Sequence, residues 1–144
     1  MKAVPLVLAL AVIAFAAAFH LYWALGGKTG LAVSLPQNDD GRPVLGHLIG
    51  WWRAGALAVS VALALLALLI LALRGWIELP LALTMQRLAV AAVGIVFCLR
   101  VLVPSRYVGF FKTIRHTRWA KYDTRFYSPL FLILGLSLLA LALG

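Results

Sequence analysis

Four long apolar runs separated by three polar breaks set the outline of this chain. A hydrocarbon layer of about 30 Å needs about 20 apolar residues in helix to cross it. Residues 4–25 meet that need and are stopped by Gly26 and Gly27. Residues 45–73 exceed it: 54–73 would cross alone, so the turns from His47 to Arg53 extend the helix into the head-group layer. Residues 81–103 lie between Pro80, suited to a first helical turn, and Pro104. The shortest run, 127–143, closes the chain. The pattern predicts an all-α fold, an integral membrane four-helix antiparallel bundle over a single domain, residues 1–144. Loops 26–44 and 104–126 then share one face. The first, with Gly30, Pro36, Gly41 and Pro43 around Gln37-Asn38-Asp39-Asp40, reads as a wet, turn-rich linker. Gly46, Gly50 and Ala54 form a small-residue ridge of the kind that lets helices approach closely. Met1-Lys2 ahead of an apolar run resembles a secretion signal, but the run is longer than a signal core and is read as a retained span.

Composition strengthens this outline. The chain is 65% hydrophobic, with a mean hydropathy of +1.04, more apolar surface than 144 residues could hide from water. Its formal charge of +9 is unevenly placed: seven of thirteen Lys and Arg residues fall between Arg100 and Arg125, interleaved with aromatics and a single acid, Asp123. Beside four spans, such a stretch fits anionic lipid head groups and excludes nucleic acid as the partner. The opposite face carries only Lys2, Arg74 and Arg87, so the positive-inside bias puts both loops in the cytoplasm and both termini outside. Cys98 stands alone in an apolar run, and no Cys/His spacing indicates a metal.

The groups able to carry chemistry fall at one depth. His20 and Trp23 share a face of the first helix, with Tyr22 beside them; His47 and Trp51 lie four apart, followed by Trp52 and Arg53; Arg100 ends the third helix. The expected ligand contacts are Trp23, Trp51, Arg53, Arg100, Arg106, Tyr107, Lys112, Arg115, Arg118 and Arg125. Of these, Trp23, Trp51, Arg53, Arg100, Arg106 and Tyr107 line, with His20, one cavity opening toward the basic loop, and Lys112, Arg115 and Arg118 stand at its rim. Arg and Lys suit a phosphate, and the aromatics suit a glycerol or sugar region. His20, His47 and Asp123 are the candidate acids and bases if the protein is instead an intramembrane enzyme on a lipid or isoprenoid phosphate. Plainer readings compete at each position: tryptophan and tyrosine form interfacial belts, arginine snorkels, and a histidine inside an apolar helix can serve a hydrogen bond across helices. No acid-base constellation has a diagnostic spacing, so binding ranks above catalysis. No cofactor is expected; haem, quinone or transport readings rank lowest. Four short spans leave room for a homo-oligomer or a larger membrane complex.

Two blocks carry a resemblance. His20-Leu-Tyr-Trp-Ala-Leu-Gly-Gly27, together with Arg106-Tyr-Val-Gly-Phe-Phe-Lys112 and Asp123-Thr-Arg-Phe-Tyr-Ser-Pro129, resembles the signatures of the bacterial DUF3995 family over nearly the whole chain. Where members often carry an acidic Gly-Asp-Phe before the Arg-Tyr, this chain has Val103-Pro104-Ser105. The resemblance implies a small multi-pass protein of the bacterial inner membrane, its termini periplasmic under the charge bias, and implies no activity.

Overall fold

The computed structural model describes residues 3–144, apart from the side chains of residues 47–49. Among the described residues the regular structure is helical, with one isolated bridge between Gln37 and Pro43. Helix α1 spans Ala3–Ala24, α2 Trp52–Leu73 and α3 Leu83–Leu102. A 3-10 stretch, Gly46–Trp51, leads directly into α2, so the second helical run does extend past the span. At about 1.5 Å per residue, the 22 residues of α1 or of α2 measure about 33 Å, enough for a hydrocarbon layer.

The last helix begins earlier than the apolar pattern predicts. Short helix α4 (Arg118–Tyr122), a π-turn (Asp123–Tyr127) and α5 (Ser128–Leu143) form one continuous run of 26 residues, where a start at 127 was expected. Its first two turns are too polar to register as a span. Their start is nonetheless marked: the Thr117 side chain caps α4 by accepting from the Ala120 amide at 3.1 Å. Among the described residues, four helical stretches are long and apolar enough to cross a membrane, which makes this a multi-pass membrane protein.

Helix α1 packs on both α2 and α5, and α3 packs on α5. Leu6, Ala9 and Ile13 of α1 meet Leu66 and Ile70 of α2, Val90 of α3, and Leu134, Leu138 and Leu141 of α5. These positions recur three and four apart, so each helix buries one stripe. The opposite stripes remain apolar, including Val7, Phe15, Val61, Leu65, Val96, Leu99 and Leu136, all exposed and suited to lipid. This core occupies the half of the bundle away from the two loops.

Close packing does not occur at the expected small-residue ridge. A Cβ added at Gly46 or Gly50 would meet nothing within 4 Å, and Ala54 is exposed. The close approach is instead between α3 and α5. A Cβ at Gly94 would lie 3.0 Å from the Gly135 carbonyl oxygen, and one at Gly135 would lie 2.7 Å from Cys98 Sγ. Both glycines sit mid-helix, each facing the other's backbone.

Candidate functional site

The loop end of the bundle is organised around Asp123, whose side chain is wholly buried. One carboxylate oxygen accepts from Arg100 Nη2 at 2.9 Å. The other accepts from Lys112 Nζ at 2.9 Å, the Gly109 amide at 2.9 Å and Ser128 Oγ at 3.1 Å. Lys112, only 1% exposed, also donates to the Gly109 carbonyl and to Thr124 Oγ1, so all three of its hydrogens are used. The Arg100 guanidinium lies 4.0 Å from the centroid of the Phe131 ring.

Local backbone geometry makes this convergence possible. Residues five apart on an α-helix point about 140° apart, but a π-turn widens the helix and brings them nearly into line. Asp123 and Ser128, at the two ends of the π-turn, therefore face the same interior. Gly109 adopts φ +84°, and a Cβ there would lie 2.6 Å from the Val101 carbonyl oxygen. Only glycine brings an amide this close to Asp123 from such a backbone.

The first loop is folded, not a loose linker. Gln37 is buried, and its Oε1 accepts from the Trp119 amide at 3.0 Å. Trp119 also donates its indole N–H to the Tyr107 carbonyl at 2.8 Å and stacks on Tyr127. His116 Nε2 donates to the Asp39 carbonyl at 2.9 Å. The carboxylate facing Arg106 is likewise from the first loop, Asp39 at 3.3 Å. The two loops thus close over this end of the bundle as one cap.

The expected site residues divide between this cap and a separate groove. Arg100, Lys112 and Asp123 belong to the buried ionic centre; Arg106 and Tyr107 lie in the cap above it. His20, Trp23 and Trp51 instead line a groove of about 400 Å³ between α1, α2 and the first loop. His20 hydrogen-bonds within its own helix, Nδ1 to the Ala16 carbonyl at 2.7 Å, and makes no bond across helices among the described residues. Arg53 closes the end of α1, donating from Nε to the Ala24 carbonyl at 3.0 Å. The His47 side chain lies outside the described residues. Arg115, Arg118 and Arg125 are exposed.

Charge pairing at this end is incomplete. Among the described residues, the ion pairs are Arg100 and Lys112 with Asp123, and Arg106 with Asp39. Lys28, Arg42, Arg53, Arg115, Arg118, Lys121 and Arg125 have no carboxylate within 4.0 Å among the described residues. Gln37, Gly109 and Ser128 are not among the site residues that the sequence points to. The signal available was local: a lone glycine amid bulky side chains at 109, and a serine at the head of an apolar helix.

Comparison with known proteins gives a match at the level of a family. A family model described as "Protein of unknown function (DUF3995)" matches residues 12–138. Among curated proteins and solved structures, nothing matches.

Proposed function

The chain belongs to the DUF3995 family, and we propose that it binds the anionic head group of a membrane lipid or polyprenyl phosphate at the loop end of the bundle. The observation that carries this reading is the charge left over there. Asp123 and Asp39 neutralise part of the basic cluster, and seven further cations, from Lys28 to Arg125, keep no carboxylate partner among the described residues. A phosphate group at the membrane surface supplies the missing charge, at about 1 kcal/mol for each nearby Lys or Arg. Exposed Tyr22, Trp51, Phe111 and Tyr122 sit at the same end and would hold the protein at head-group depth.

Binding is favoured over catalysis by the state of Asp123. Its two oxygens accept four hydrogen bonds and its side chain has no exposed surface, so it has no face to offer a substrate. The proposal places the protein in the bacterial inner membrane, with the basic face cytoplasmic and both termini periplasmic.

Native mass spectrometry of the full-length protein, released from membranes, tests the binding. Phosphatidylglycerol or an isoprenoid phosphate should remain bound in preference to phosphatidylethanolamine. Retention in proportion to membrane abundance would contradict the proposal.

A further inference from the structure

The groove between α1 and α2 has a chemistry different from the basic face. Its described lining holds no Lys, Arg, Asp or Glu. Its walls are tryptophan and aliphatic side chains, and its volume of about 400 Å³ falls within the range of ligand pockets, about 300–1,000 Å³. Its polar side-chain groups are His20, Ser34 and the indole N–H groups of Trp23, Trp51 and Trp52.

The hydrogen bonds of His20, Ser34 and Trp23 fix what these groups can offer. His20 Nδ1 lies 2.7 Å from the Ala16 carbonyl oxygen, which can only accept, so Nδ1 carries the hydrogen. A neutral ring then leaves Nε2 as a bare acceptor, and no protein group bonds it among the described residues. Ser34 Oγ spends its hydrogen on the Leu31 carbonyl at 2.8 Å and likewise keeps only acceptor capacity. The Trp23 indole N–H is committed to the Thr29 carbonyl at 2.8 Å. The Trp51 and Trp52 indole N–H groups have no acceptor among the described residues, so the groove offers acceptors and donors without a cation in its described lining, which suits a neutral hydroxyl attached to an apolar body.

Its mostly apolar lining suits a hydrocarbon chain. Trp51 is 73% exposed at one side and Val59 is 41% exposed at another, so the groove opens toward the surface that lipid would cover. Gly55 lines it, and a Cβ there would meet nothing within 4 Å. The small residues at the start of α2 thus leave this channel open.

We infer that this groove binds a neutral, hydroxyl-headed hydrocarbon chain, its hydroxyl donating to His20 or Ser34 and its chain lying along Trp23, Trp52 and Gly55. This site is independent of the anionic surface.

The test uses the full-length protein in phosphatidylcholine nanodiscs and three probes sharing one tail: 1-tetradecanol, its methyl ether and tetradecyl phosphate. Tetradecanol should bind saturably and displace the ether, which cannot donate, with about tenfold higher affinity. His20→Leu should lower tetradecanol affinity about tenfold. Gly55→Leu should block binding while raising helix propensity, so a folded but empty groove is readable even if the His20 variant is unstable. Arg118→Ala should leave tetradecanol binding unchanged while weakening tetradecyl phosphate. Equal affinity for the alcohol and the ether, or alcohol binding untouched by Gly55→Leu, overturns the inference. Failure of the wild-type protein to bind tetradecyl phosphate, with tetradecanol still bound, would count against the basic-face proposal and leave the groove standing.

Discussion

Lys112 Nζ and Asp123 Oδ2, eleven residues apart, meet at 2.9 Å with side chains 1% and 0% exposed. A charge pair this deeply buried survives only when its remaining hydrogen-bonding capacity is met, and here every donor of the ammonium has an acceptor. Asp123 also pairs with Arg100, so a single carboxylate faces both cations of the buried centre.

Asp123→Asn should therefore unfold this end of the bundle, costing about 3–5 kcal/mol because two cations lose their counter-charge. Thermal unfolding in detergent reads this directly. The double substitution Asp123→Leu/Lys112→Met should cost less than the sum of its parts, since it removes both charges. A stable Asp123→Asn protein would mean that the carboxylate does not hold the loops.

Gly109→Ala should be severely destabilising, by more than the roughly 1–2 kcal/mol of a left-handed residue, because its Cβ would also overlap the Val101 carbonyl. Gly55→Ala, in open space on α2, should be neutral or stabilising by up to about 1 kcal/mol. Equal melting temperatures for the two variants would contradict this reading of the loop.

The α3–α5 crossing gives a second glycine contrast. Gly135→Ala should cost about 1–3 kcal/mol through forced separation of the helices, while Gly46→Ala and Gly50→Ala should cost little. If the Gly46 and Gly50 variants prove the more damaging, those positions contact something outside the single chain.

Much of this architecture was legible in the sequence because span length and apolar runs are direct readings of bilayer thickness. The start of the last helix was not, since residues 118–127 are polar and their helicity depends on the Thr117 cap and on the buried pairing of Asp123. Among the described side chains, the candidate residues fall into two groups near the loop end. Depth alone could not separate His20 and Trp51, in the groove, from Arg100 and Lys112, at the ionic centre; that division depends on which neighbour each helix packs against. Gln37 was unreadable because its partner, the Trp119 amide, is eighty-two residues away.

That long-range contact is testable. Gln37→Ala should leave a buried amide unpaired and cost about 1–3 kcal/mol, with faster hydrogen exchange at Trp119. Asp39→Ala should cost at most about 1 kcal/mol through its ion pair with Arg106, which is solvent-exposed and screened by salt. A larger effect from Asp39 than from Gln37 would mean that charge, and not the buried bond, joins the loops.

The central claim concerns the cations left without carboxylates at the loop end. The most direct measurement is phosphatidylglycerol affinity for three purified full-length proteins: wild type, Arg115→Gln/Arg118→Gln/Arg125→Gln, and Arg74→Gln/Arg87→Gln on the opposite face. The account predicts at least about a tenfold loss for the triple variant, no change for the opposite-face variant, and a wild-type affinity that falls with added salt. Equal losses in the two variants, or a triple variant that binds as wild type does, would contradict it.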